Sequence, residues 1–309
     1  MYSPPSFLFN AHLETIYPSL FRKVNLEYQR ERITLPDNDF LDLDWLKQGS
    51  QNLVIISHGL EGNSHRAYMK GMARAFYERG FDVLAWNYRG CSGEVNKALR
   101  FYHSGATDDL SSVVDHAISI GYENLFLIGF SLGGNLTLKY AGERKLGARI
   151  KGVATFSVPL DLHTSCIQIS KPSNWIYSHR FVRLLKQKVN AKAKVMQGLS
   201  TEGIDEITNL IDFDDRYTAP LHGFRNAIEY YQQCSSIKFL EGIKVPALIV
   251  NAKNDPFLSK ECFPTSLNNS FVKFEFPDRG GHVGFTSFGR NGLYWSEQRA
   301  LDFITQLIQ

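Results

Sequence analysis

Residues 125–136 read LFLIGFSLGGNL, and they carry a serine hydroxyl out of four bulky apolar residues into a frame of Gly129, Gly133 and Gly134. A loop serine would sit beside Asn, Asp or Pro. Gly129-Phe130-Ser131-Leu132-Gly133 instead has the G-x-S-x-G spacing, with a buried run before it and a helical pattern after it. That strand–turn–helix setting is the context of a nucleophile elbow. The turn is so tight that side chains two positions either side of the serine would collide, hence the glycines. It lifts the Ser131 hydroxyl clear of the strand, in a strained conformation, at the positive end of the next helix.

A serine hydroxyl is a weak nucleophile until a base removes its proton. On this kind of turn the partners follow in the order serine, acid, histidine, each after a later strand. ALIVNAKNDPFL supplies Asp255 just past an apolar run, and Pro256 stops a regular helix from starting there. FVKFEFPDRGGHVGF supplies His282 between glycines that allow a close approach. Among nine histidines His282 is the only one after Asp255. Asp161, in SVPLDL, is the rival acid; Asp255 is preferred because NDPF fits an acid-bearing turn better. In IISHGLEGN a strand ends in His-Gly-x, which points a backbone N–H at the elbow. Leu60 and Leu132 N–H are therefore the candidate oxyanion donors. His58 is read as bonding its own loop, not as a base.

The elements that must hold these groups are legible as alternating strands and helices. Apolar runs begin at 53, 83, 125, 152 and 247, bounded by turn residues, as in strands buried on both faces. Helical stripes follow Ser64 (Met69, Met72, Ala73, Phe76, stopped at Gly80) and Thr107, a candidate N-cap (Leu110, Val113, Val114, Ala117, Ile118, closed by Gly121). Another ends the chain at Ala300, Phe303, Ile304, Leu307 and Ile308. The pattern predicts an α/β fold, a mostly parallel sheet with helices on both faces. FLDLDWL after PDND predicts an antiparallel hairpin at the sheet edge. Between about 160 and 235 the rhythm breaks into a stretch of helical patches with no clear buried strand, read as a cap inserted into one domain spanning 1–309.

Composition narrows the classes. The 34 basic and 31 acidic residues leave a net charge of +3 without a basic stripe, which argues against a nucleic-acid partner. The four cysteines lack metal-ligand spacing, so neither a metal nor a cofactor is expected. There is no signal-peptide pattern, and no apolar run approaches the ~18 residues of a membrane span. A soluble cytoplasmic protein is expected.

HGLEGNSHRAYMKGMARAFYERGFDVLAWNYRGCSGEVN, GFSLGGN, FDDRYTAPLHGF and NAKNDPF, with the opening FNAHLETIYPSLFR and ITLPDNDFLDLDW, resemble the YheT-like family of α/β-hydrolases over nearly the whole chain. The family includes membrane-anchored eukaryotic members and fungal enzymes that make and cleave medium-chain ethyl esters. The resemblance implies a serine hydrolase of acyl esters with Ser131, Asp255 and His282 as its triad. An acyltransferase using an alcohol in place of water is the alternative, and a binding protein on a hydrolase scaffold is a more distant one. His103-x4-Asp108 has a spacing discussed for acyltransferases, but it is read as helix-start chemistry. NYRGCSGE is read as a turn at the site rim. FDDRYTAP is read as a salt-bridged lid hinge, without chemistry.

Overall fold

The computed structural model of the protein describes residues 2–144, 147–289 and 292–308. Successive strand side chains face opposite ways, so a continuous apolar run feeds two cores at once. Leu53 and Ile55 enter one core while Val54 and Ile56 enter the other, and Leu125 and Leu127 divide likewise from Phe126 and Ile128.

The strands are β1 (Gln29–Thr34), β2 (Phe40–Leu46), β3 (Asn52–Ser57), β4 (Asp82–Asn87), β5 (Asn124–Phe130), β6 (Ile150–Phe156), β7 (Ala247–Val250) and β8 (Val272–Glu275). Among the described residues they form one eight-stranded sheet, ordered β1-β2-β4-β3-β5-β6-β7-β8. The β1–β2 and β2–β4 pairs are antiparallel and the rest parallel. This is an α/β-hydrolase sheet. The predicted hairpin is present at its edge, but its aspartates are not solvated. Asp42 and Asp44 are buried, each forked by the arginine opposite it in register, Arg32 and Arg30.

Helix α1 (Ala11–Phe21) precedes the sheet, and α2 (Ala67–Tyr77), α3 (Thr107–Ser119) and α4 (Leu132–Glu143) follow β3, β4 and β5. Between β6 and β7 come α5 (Leu162–Ile169), α6 (Trp175–Ala193), α7 (Leu210–Phe213), α8 (Ala219–Leu221) and α9 (Ala227–Cys234); α10 (Trp295–Thr305) ends the fold. Met69, Met72 and Phe76 of α2 share a core with Ala300 and Ile304 of α10. Leu110 and Val113 of α3 pack with Leu136 and Leu138 of α4 in the other core, so helices cover both faces.

Three features differ from the sequence expectation. Thr107 is the first residue of α3, not its N-cap: Ala106 holds that position, and the Thr107 hydroxyl bonds Glu143. Ile308 lies past the end of α10 and is exposed. The 160–235 stretch, where the sequence shows only helical patches, carries a core of its own. Val182, Leu185 and Val189 recur at helical spacing on α6 and pack with Ile204, Leu210, Phe213 and Tyr217.

Candidate active site

Ser131 sits where β5 turns into α4, with φ 52° and ψ −122°. A non-glycine residue held there stores strain that its surroundings must enforce. The enforcement is visible at two glycines. A Cβ on Gly129 would stand 2.5 Å from the Gly133 carbonyl oxygen, across the turn as the sequence suggests. A Cβ on Gly133 would crowd the His58 carbonyl oxygen, so that glycine lets α4 press against the end of β3.

The loops after three different strands converge here. His282 Nε2 lies 2.9 Å from Ser131 Oγ, and His282 Nδ1 lies 2.9 Å from Asp255 Oδ2. A carboxylate only accepts, so Nδ1–H donates to Asp255 and Nε2 is left as a hydrogen-bond acceptor facing the Ser131 hydroxyl. Asp255 is 4% exposed, and its Oδ1 also accepts the Phe257 N–H at 2.9 Å. Asp161, the rival acid, is occupied elsewhere: it is the N-cap of α5, accepting the Thr164 N–H at 2.9 Å.

Leu60, in the turn after β3, and Leu132, the first residue of α4, line the same cavity as Ser131. Among the described residues neither backbone N–H has an acceptor. His58 braces this turn. Its Nδ1 lies 2.8 Å from the Gly59 carbonyl, its Nε2 accepts the Tyr88 N–H, and burial pushes its pKa down to about 3. A neutral, fully bonded imidazole is a strut.

The histidine loop has a support that sequence reasoning missed. Buried Glu14 on α1 accepts the Gly280 N–H at 2.6 Å, Asn254 Nδ2 at 3.1 Å and Arg279 Nε at 2.7 Å. Thr15 Oγ1 accepts the His282 N–H at 2.9 Å, and Ser157 Oγ accepts the Val283 N–H at 2.8 Å. The opening HLET therefore anchors the acid and histidine loops together. Its only sequence signal is that stretch's part in the family resemblance.

Two cavities meet at Ser131 and His282. The first, about 120 Å³, runs between α5, α6 and α7, lined by Ile169, Leu185, Val189, Phe213 and Tyr217. The second, about 220 Å³, opens between α1, the Leu60 turn and α6. Asp214 and His103 also line the first. Burial pushes the Asp214 carboxyl up to about 6 against its hydrogen bonds from Thr218 and Tyr231. The FDDRYTAP stretch is thus hydrogen-bonded around a π turn at Asp214–Thr218, where a salt-bridged hinge was expected. In NYRGCSGE, Arg89 is buried among Asp37, Asp39 and Asp109. Among the described residues no group of three His, Cys, Asp or Glu side chains is placed to hold a metal ion. None of the described helices is long and apolar enough to cross a membrane.

Sheet order and elbow geometry define an α/β-hydrolase. The family model described as serine aminopeptidase S33 matches residues 48–262. The YheT protein of Escherichia coli (strain K12) is 32% identical over 97% of this chain and 92% of its own. Bovine phospholipase ABHD3 is 27% identical over 92% of this chain and 73% of its own. The structure of a Pyrococcus furiosus esterase superposes with a TM-score of 0.60, covering 92% of this chain and 98% of that one at 19% identity, a likeness of fold. The chain belongs to the YheT-like family of α/β-hydrolases, whose members include enzymes of the esterase and lipase type.

Proposed function

We propose that the protein hydrolyses carboxylic esters of acyl chains through an acyl-enzyme formed on Ser131. The observation that carries this reading is the hydrogen-bond chain Ser131–His282–Asp255, at 2.9 Å for each link. As the Ser131 oxygen attacks the ester carbonyl, His282 Nε2 takes its proton; Asp255 holds the tautomer and stabilises the cation that forms. The developing oxyanion is met by the Leu60 and Leu132 N–H groups. His282 then protonates the leaving alcohol, whose C–O bond breaks. Water, deprotonated by the same imidazole, releases the acid. The acyl chain lies in the apolar cavity under the cap, so residues 160–235 act as the specificity-setting part of a single domain spanning 1–309.

A panel of esters of graded acyl length, assayed with the wild type and Ser131→Ala, tests this. A chain-length optimum is expected in the wild type, with loss of turnover across the panel in the variant. Turnover retained by Ser131→Ala would refute the mechanism. The second cavity favours a second reading. It gives an alcohol a place beside the acylated serine, so transfer of the acyl group to an alcohol competes with hydrolysis.

A further inference from the structure

The cavity on the side of the site away from the acyl tunnel is charged, and its charge is not balanced. Among the described residues its lining includes Arg22, Glu61, Arg66 and Arg180. Two of these are neutralised in place. Arg22 pairs with buried Glu297 at 2.6 Å, and Glu61 pairs with Lys188 of the cap at 2.7 Å. Arg66 donates to the Glu61 carbonyl oxygen at 3.0 Å, yet among the described residues it meets no carboxylate. Arg180 has neither an ion-pair nor a hydrogen-bond partner among those residues. Partial burial, with repulsion from Arg66 and Arg183, lowers its pKa from the ordinary guanidinium value. Arg66, before α2, and Arg180, on α6, line the same cavity from different elements, and their repulsion is what an anion between them would remove. The Arg66 side of the cavity is the start of α2. Arg66 is its N-cap and makes no side-chain cap bond, and Ala67 and Tyr68 of the first turn line the same space.

The location gives this charge a meaning. Ser131, His282, Leu60, Phe181 and Phe257 line both cavities, so the reacting carbonyl lies where the two meet. With the acyl chain in the apolar cavity, the alcohol half of the ester projects into the other. We infer that the preferred substrates are acyl esters whose alcohol portion carries an anionic group, a phosphate or a carboxylate, held between Arg66 and Arg180. This rests on the ester-hydrolase reading and deepens it. Hydrolysis then breaks the acyl C–O bond, adds water across it and releases a fatty acid with an anionic alcohol. Planar guanidinium groups suit either anion by paired N–H donors.

The test is a ratio of kcat/KM values at one acyl length. The probes are 1-octanoylglycerol as the neutral ester, 1-octanoylglycerol 3-phosphate and O-octanoyl-lactate. At low ionic strength the wild type should favour at least one anionic ester over the neutral one by about tenfold or more, and roughly 0.5 M NaCl should compress that ratio. Arg66→Gln with Arg180→Gln should lower it by about tenfold, equivalent to about 1.4 kcal/mol. Preference for the phosphate alone or the lactate alone identifies which anion the pair takes. A wild-type ratio near one at low salt, or a ratio that the double variant leaves unchanged, overturns the inference. The salt titration needs no variant, so misfolding of the double variant leaves the test standing. Fluorophosphonate labelling of Ser131 is run alongside. Unlabelled, folded protein would remove the nucleophile itself, whereas labelled protein with a ratio of one removes only the anion site.

Discussion

Glu14→Gln separates the support of the histidine loop from its chemistry. The two carboxylate oxygens of Glu14 divide their work. Oε2 accepts from Gly280 N–H and Asn254, two and one residues from His282 and Asp255 respectively, and Oε1 accepts from Arg279. Glutamine keeps the shape but turns one acceptor into a donor, so one of these partner sets must face an N–H. Losing a hydrogen bond to a charged group costs about 1.5–3 kcal/mol. Breaking a fully buried pair costs about 3–5 kcal/mol. Glu14 is 1% exposed, but the Arg279 side chain is 37% exposed and recovers water, so the lower range applies. We expect a loss of about 2–3 kcal/mol in urea denaturation. The rate should fall as well, because displacing a catalytic group by about 1 Å can cost on the order of 10². A kcat lower by roughly 10–100-fold with KM little changed would place Glu14 as a positioning residue. Stability lowered with kcat intact would refute the positioning role, and an unchanged protein would refute the hydrogen-bond set.

Other outcomes follow from the same geometry. Asp255→Asn should leave the fold intact and cost on the order of 10⁴ in kcat, by analogy with the serine-protease triad. Asp161→Asn should cost at most ~1 kcal/mol of stability through its cap and little rate, and the reverse result would move the acid to the β6 loop. His58, held at about 3 against an ordinary 6.5, binds its proton more tightly in the unfolded chain. Its contribution to stability is therefore complete above about pH 6.5 and drains away as pH falls towards about 3. Wild type should lose ~2 kcal/mol more than His58→Gln between about pH 7 and pH 5, and equal losses would contradict a buried neutral imidazole. With molar ethanol present, an acyl ester should yield ethyl ester beside free acid, since a well-placed alkyl contact is worth about 1–3 kcal/mol. Free acid alone would remove the transfer reading.

The parts legible from sequence are those written in local patterns. Strands β3 to β7 announce themselves because their residues are apolar on both faces, and the elbow because only glycine fits beside it. Asp255 and His282 could be chosen because chain order and turn chemistry leave few candidates. Glu14 could not be chosen that way. A glutamate on an N-terminal helix has the pattern of a solvated residue, and only folding brings it to partners some 240–266 residues away. Asp42 and Asp44 were hidden for a related reason: alternation marks a polar face, but the cross-strand arginines that allow its burial depend on register. The core within residues 160–235 is hard to read from sequence because its apolar residues recur about once per turn among polar ones, without the continuous runs that mark β3 to β7.

The central claim is that Ser131 is an activated nucleophile, and covalent capture tests it most directly. The folded protein is treated with a fluorophosphonate, digested, and the adduct located by peptide mass. An activated Ser131 predicts a single adduct on the peptide that carries it, abolished in Ser131→Ala and strongly slowed in His282→Ala. An adduct on another serine, or none on protein shown to be folded, would contradict it.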